Sequence, residues 1–325
     1  MDLAEFLAEW NNASDKVLVH TSGSTGEPKP LWVEKRRMEA SARLTCDFLG
    51  LQPGDTALLC MPLDYIAGKM VVVRSLVRGL RLINVAPSGH PLKSLSQPPV
   101  FAAMVPMQVY NSLQTHHERE ILARIKHLII GGGAVDKALE AELRSMPGNV
   151  WSTYGMTETL SHIALRRLNG DTADDWYTPF GGVDVSIGSD GCLVIKAPMV
   201  CAATLYTHDL AEIASDGRRF RILGRKDNVI DSGGIKIRME EIEEALHPHL
   251  AFPFMITKRC DKRLGEAVTM LAECDEESAD DIRRICENVL PKYWRPKYYI
   301  FIGKLPLTAT GKPARAKALE IAARM

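Results

Sequence analysis

A chain of 325 residues with 40 basic and 40 acidic side chains carries no net formal charge and no long run of one sign, so it offers no electrostatic case for a nucleic-acid or anionic-membrane partner. The opening Met1-Asp2-Leu3-Ala4-Glu5 lacks the basic-then-apolar order of a signal peptide, and no apolar run approaches the ~18 residues of a membrane span; a cytoplasmic chain is expected. Seven cysteines without C-x-x-C spacing fit neither a disulfide framework nor a zinc site, which predicts free buried thiols.

The length exceeds the roughly 100 to 200 residues of a common domain, so one large domain or two are expected. Leu3 to Trp10 reads as a short amphipathic helix, and Val17 to His20 as a strand that runs into a polar, small-residue stretch at Thr21 to Lys29. Pro30 to Val33 reads as its return strand, and Glu34 to Leu49 as a helix stopped by Gly50. Strands follow at Thr56 to Met61, Arg81 to Ala86, Val100 to Val105, Ile125 to Ile130 and Val150 to Tyr154. Between them lie a Pro62 to Gly68 turn and helices at Lys69 to Val77, from Pro106, and at Asp136 to Ser145. His116-His117 and His247-Pro248-His249 read as solvated turns rather than metal ligands.

This alternation predicts an α/β fold with a doubly wound sheet. From about Phe180 short strands around a Gly188 to Gly191 turn predict a small β subdomain. Beyond Gly224-Arg225-Lys226-Asp227 come helices at Met239 to Leu246 and Ala279 to Leu290, then a Pro/Gly-punctuated loop at Lys304 to Pro313. The predicted organisation is a large N-terminal domain, residues 1–226, and a small α+β C-terminal domain, residues 227–325, joined by a hinge.

The chemistry concentrates in a few strings. Thr21, Ser22, Gly23, Ser24, Thr25 and Gly26, followed by Lys29, combine hydroxyls, two flexible glycines and a cation, the composition of a phosphate cradle. The Walker spacing is absent. Tyr154-Gly155-Met156-Thr157-Glu158 sits just past a predicted strand, where α/β folds bind ligands. There an aromatic ring can cover a base, a threonine can bind a phosphate oxygen, and a carboxylate can hold Mg2+.

Together these strings resemble the two signatures of the adenylate-forming superfamily, whose members include acyl-CoA synthetases. The resemblance implies that Thr21 to Lys29 wraps the ATP phosphates, that Gly132 and Gly133 line the adenine and acyl pocket, that Tyr154 flanks adenine, and that Gly155 belongs to the nucleotide site. It assigns Thr157 to phosphate and Glu158 to Mg2+. Tyr206-Thr207-His208-Asp209 resembles the T-G-D motif, making Asp209 a ribose ligand, although His208 replaces the glycine. Arg225 would contact the ribose, Asp227 would be the hinge pivot, and Gly233, Gly234 and Lys236 would line a tunnel for CoA. Lys312 aligns with the catalytic lysine, delivered to offset charge in the adenylation transition state. Only 20 residues precede the phosphate loop, fewer than in the family, and a homo-oligomer contact is one way to supply the missing cover.

Pro62-Leu63-Asp64-Tyr65-Ile66-Ala67-Gly68 with Arg74 is similar to a segment of the o-succinylbenzoate-CoA ligase branch of menaquinone biosynthesis, with Tyr65 at a position commonly histidine. Thr159 to Ala164, which includes Ser161, also resembles that branch. The implied substrates are a carboxylic acid with a second carboxylate facing Arg74, ATP and CoA. Other readings stay open: another aryl or short-chain acid, a carrier-protein thiol in place of CoA, or a non-catalytic nucleotide-binding relic.

Overall fold

The computed structural model describes residues 1–20, 30–308 and 313–324. These residues group into two compact units, one of residues 1–20, 30–207 and 211–221, the other of residues 208–210, 222–308 and 313–324.

The first unit begins with α1 (Leu3–Asn11), closed at its N-terminus by a capping box between Asp2 and Glu5. β1 (Lys16–His20) and β2 (Pro30–Glu34) pair antiparallel with His20 opposite Pro30, so the hairpin brings together the two ends of the stretch 21–29. α2 (Lys35–Leu49) ends at Gly50, whose φ of +64° is the left-handed stop the sequence predicts. β3 (Thr56–Leu59), α3 (Ile66–Arg78), β4 (Arg81–Asn84), β5 (Phe101–Met104), α4 (Pro106–Leu113), α5 (His116–Ala123), β6 (His127–Ile130), α6 (Lys137–Leu143) and β7 (Asn149–Gly155) then alternate. β8 (His162–Arg167) and β9 (Thr178–Pro179) complete a seven-stranded sheet of order β4-β3-β5-β6-β7-β8-β9.

The first five strands of that order are parallel and the last two antiparallel. β5 and β6 are buried at every position, and apolar at all of them except His127, as sheets covered on both faces require. One core packs Leu58, Met104, Leu128, Ile130 and Val150 of the sheet against Leu122, Leu139 and Leu143 of the helices, each such side chain stabilising by roughly 1.5–3 kcal/mol.

Three local readings differ from the sequence expectation. His116-His117 opens α5 instead of forming a turn, because Ile121 and Leu122 bury one face of that helix. α3 starts at Ile66, so Gly68 lies inside a helix: a Cβ there would come within 2.4 Å of the Pro62 carbonyl oxygen. β8 and β9 add an antiparallel edge to the doubly wound sheet.

The small β subdomain is a sheet of order β10-β11-β12-β13, formed by β10 (Asp184–Ile187), β11 (Cys192–Lys196), β12 (Leu205–Ile213) and β13 (Phe220–Arg225). In the second unit β14 (Val229–Ser232) and β15 (Ile235–Arg238) form a hairpin, followed by α7 (Met239–Leu246), β16 (Phe254–Asp261), β17 (Gly265–Ala272), α8 (Ala279–Val289), β18 (Tyr298–Phe301) and α9 (Arg315–Arg324). Strand alternation sets its layers: Ile256, Val268 and Met270 face α7 and α8, while Met255 and Leu271 face Ala318 and Ala322 of α9. The segment Asp231 to Ile237 is this tight hairpin, because Gly233 and Gly234 both take positive φ, +62° and +85°, as a two-residue hairpin turn demands. Among the described residues no helix is long and apolar enough to cross a membrane.

Candidate active site

Thr21, Ser22, Gly23, Ser24, Thr25, Gly26, Lys29 and Lys312 lie outside the described residues. Their supports are described. Lys69, 3% exposed, donates from Nζ to the Leu18 carbonyl at 2.7 Å and pairs with Glu9 at 3.3 Å. Glu9 in turn accepts from Leu18 N at 3.2 Å. This buried cation, read from the sequence only as the start of a helix, ties α1 and α3 to β1, the strand that precedes residues 21–29. A backbone bridge places Tyr65 alongside His20 at the end of β1. At the other end of the chain, Leu307 bridges Pro313 and Ala314 N donates to Pro306 O at 2.9 Å.

The second signature occupies the junction of β7 and β8. Tyr154 and Gly155 are the last two residues of β7, and Thr157 to Thr159 form a single 3-10 turn. A Cβ on Gly155 would sit 2.3 Å from the Ser161 carbonyl oxygen and 2.4 Å from His162 Cα, so only glycine lets the two strands cross this closely. Leu160 takes φ +64°, rare for a residue with a side chain, and reverses the chain so that Ser161 follows. Tyr154 is half-buried in an aromatic cluster, its ring 5.1 Å from Phe220 and 5.8 Å from Tyr177. Gly131 to Gly133 lies beside the same strand: a Cβ on Gly131 would meet Thr153 Oγ1 at 2.4 Å, and Gly132 has φ +80°.

Thr157 is buried and Glu158 exposed. Among the described residues no group of three His, Cys, Asp or Glu side chains forms a cage for a metal. One exposed carboxylate fits Mg2+ all the same, because that ion takes one or two carboxylates and completes its shell with substrate phosphates and water.

Arg74 is 2% exposed on α3. Its Nη2 donates to Ser161 Oγ at 2.6 Å, its Nε has no partner, and among the described residues no carboxylate pairs with it. Burial pushes its pKa down to about 10, which leaves the guanidinium protonated at neutral pH. The structure therefore joins Arg74 and Ser161, two of the three residues, with Tyr65, that the sequence resemblance assigns to the acid. It adds His162 and Thr45, which the sequence did not flag: His162 contacts Ser161 Oγ at 3.2 Å and Thr45 Oγ1 at 3.0 Å.

In the second unit Arg225 donates to Asp209 at 3.1 Å and to Asp227 at 2.9 Å, and His208 reaches Asp227 at 2.9 Å. Burial raises the Asp227 pKa, but hydrogen bonds from Arg225 and His208 outweigh it and hold the carboxyl below its ordinary range. The expected ribose ligands and hinge residue thus form one charged chain, with His208, the departure from the motif, as its end member. Gly233 and Gly234 form the β14–β15 turn, and Lys236 is exposed on β15.

The family model for AMP-binding enzymes matches residues 7–193. The chain belongs to that family, and its class is that of AMP-forming acid ligases. A 2-succinylbenzoate–CoA ligase from Bacillus thuringiensis subsp. konkukian is 27% identical, across 99% of this chain and 73% of that protein. A structure of an acyl-CoA synthetase (AMP-forming)/AMP-acid ligase II-like protein from Dyadobacter fermentans is 32% identical, covers 97% of this chain and 92% of its own, and superposes with a TM-score of 0.66. The o-succinylbenzoate CoA synthetase of Bacillus subtilis, in complex with the acyl-adenylate intermediate OSB-AMP, shares the fold at a TM-score of 0.77, with 23% identity over 93% of this chain and 68% of that one.

Proposed function

We propose that this chain converts o-succinylbenzoate to its CoA thioester in two steps. The observation that carries the substrate reading is Arg74: a buried, protonated guanidinium with an unpartnered Nε and no carboxylate beside it among the described residues. A buried cation left unpaired is costly, and a substrate carboxylate would satisfy it. The curated relatives of Bacillus named 2-succinylbenzoate–CoA ligase support the same acid.

In the first step a carboxylate oxygen of the acid attacks the α-phosphorus of ATP, the bond from that phosphorus to the bridging oxygen breaks, and pyrophosphate leaves. Thr21 to Lys29 would hold the phosphates through amides and hydroxyls, Thr157 would bind a phosphate oxygen, and Lys312 would offset the charge that gathers at the α-phosphate. Glu158 would hold Mg2+, which when bound neutralises part of the triphosphate charge. Tyr154, Gly132 and Gly133 would border adenine, and Asp209 with Arg225 would fix the ribose.

In the second step the C-terminal domain, residues 227–325, turns about Asp227, withdrawing Lys312 and bringing the Gly233-Gly234 turn and Lys236 to the thiol tunnel. The CoA thiolate attacks the acyl carbon, the bond from that carbon to the AMP oxygen breaks, and AMP leaves. A cytoplasmic setting fits the supply of all three substrates.

The deciding experiment incubates the protein with ATP, Mg2+, CoA and a panel of acids, and detects acyl-CoA by mass spectrometry. Product confined to o-succinylbenzoate supports the reading. Product from another acid replaces the substrate and keeps the chemistry, whereas no product and no pyrophosphate from any acid brings forward a non-catalytic nucleotide-binding role.

A further inference from the structure

We propose that His162 is a positioning residue for substrate recognition: as the neutral imidazole with its proton on Nε2, it accepts a hydrogen bond from the Ser161 hydroxyl at Nδ1 and leaves the Arg74 charge uncancelled for an anionic substrate. The proposal rests on the reading of Arg74 as the carboxylate site.

The direction of each hydrogen bond follows from counting protons. Thr45 Oγ1 has one hydrogen, and the Ser41 carbonyl, one helical turn back in α2, accepts it at 3.2 Å. The hydroxyl therefore faces His162 Nε2, 3.0 Å away, with a lone pair, and that nitrogen is the donor. A neutral ring protonated on Nε2 has a bare Nδ1, so Ser161 Oγ at 3.2 Å donates to it. Ser161 then has lone pairs left for Arg74 Nη2 at 2.6 Å. From Arg74 Nη2 through Ser161, His162 and Thr45 to the Ser41 carbonyl, each contact then pairs one donor with one acceptor, while Arg74 Nε stays unpartnered.

The reverse arrangement is worse. A ring protonated on Nδ1 would turn a bare Nε2 toward Thr45 Oγ1, whose one hydrogen is already given to the Ser41 carbonyl, and would leave the Ser161 hydroxyl hydrogen without the Nδ1 acceptor. An imidazolium would set a second cation against a guanidinium that lacks a counterion, in a site with His162 itself 7% exposed. Burial and the Arg74 charge both hold the His162 pKa well below its ordinary value, in agreement with the neutral ring. Histidine is suited to this place because it orients Ser161 without a negative charge. A carboxylate at 162 would also accept the serine proton, but it would neutralise Arg74.

Asparagine and glutamine separate the two nitrogens, since an Asn amide mimics Nδ1 and a Gln amide mimics Nε2. His162→Asn keeps an acceptor for Ser161 and is expected to raise the KM for the acid by no more than about threefold. His162→Gln keeps only the contact to Thr45 and is expected to raise it about tenfold, the scale of one lost net hydrogen bond. In both, kcat and the KM for ATP should stay within about threefold. Equal KM changes in the two variants, or parallel losses in kcat and ATP affinity, would overturn the proposal in favour of simple packing.

Nitrogen-15 NMR of histidine-labelled wild-type protein gives a readout that needs no turnover. The His162 signal, assigned by its loss in His162→Asn, should show the neutral Nε2–H tautomer at pH 7.5; a proton on Nδ1 or a doubly protonated ring would overturn the proposal. Should the wild-type enzyme take a different dicarboxylic acid, the o-succinylbenzoate reading falls while this test stands. The same KM order with that acid supports the role of His162, and its absence overturns it.

Discussion

Arg74 on α3 and Ser161 ahead of β8 are 87 residues apart in sequence and meet at 2.6 Å. The contact closes an interior polar chain whose cationic end carries no counterion among the described residues. Function and stability are expected to part at this position. Arg74→Met should raise the KM for the diacid about 30- to 100-fold, the loss of a charge-assisted contact of roughly 2–3 kcal/mol. It should leave the melting temperature equal to or above wild type, because an unpaired buried cation is replaced by an apolar side chain of similar length. Thermal denaturation alongside acid-dependent kinetics tests both halves; a variant that melts earlier and keeps its KM would refute the assignment.

Gly155 makes the approach of β7 and β8 possible. Gly155→Ala places a methyl group against the Ser161 carbonyl and the His162 Cα, backbone atoms that cannot rotate away. The expected cost is about 2–4 kcal/mol in denaturant unfolding, with loss of activity as Ser161 shifts from Arg74. Gly181→Ala is the control, since a Cβ there meets nothing within 4 Å, and its unfolding free energy should stay within about 0.5 kcal/mol of wild type.

The seven cysteines are free, but only Cys46, Cys60, Cys192 and Cys286 are buried; Cys201 and Cys274 are partly covered and Cys260 is exposed. Burial pushes the Cys60 thiol up to about 12, so at pH 8 it presents almost no thiolate. Alkylation of the native protein with iodoacetamide, followed by peptide mass spectrometry, should modify Cys260 first and leave the four buried thiols untouched until denaturant is added. Early modification of Cys60 would contradict the packing around β3.

The alternation of strands and helices was legible because each element carries its own period and stop signal, as Gly50 after α2 and Asp136 before α6 illustrate. α5 was not, because His116-His117 and two glutamates mask a short apolar face. Its Glu118 is buried with partners both near in sequence, Ser112 and Thr115, and distant, His90 and the Leu92 amide. The same holds for the candidate site. Arg74 and Ser161 were legible through resemblance to known motifs, whereas the pairing of His162 with Thr45, 117 residues away, depends on the packing of α2 against the sheet and leaves no local signal. The Asp231 to Ile237 segment carries a visible hairpin cue, two glycines between alternating residues, and both glycines take the positive φ that such a turn needs.

The two-step scheme makes its sharpest demand on Lys312. If this lysine serves only adenylation, Lys312→Ala should lower acid-dependent exchange of pyrophosphate into ATP by about 100-fold or more, the scale of removing one preorganised charge from a transition state. The same variant, given pre-formed acyl-adenylate and CoA, should make thioester within about threefold of wild type, since the second step proceeds with the lysine withdrawn. Asp227→Pro, which fixes φ at the proposed pivot, should give the opposite pattern: exchange retained and thioester formation lost. Equal loss of both half-reactions in Lys312→Ala would mean that the lysine acts in each, and that rotation about Asp227 does not divide the two steps.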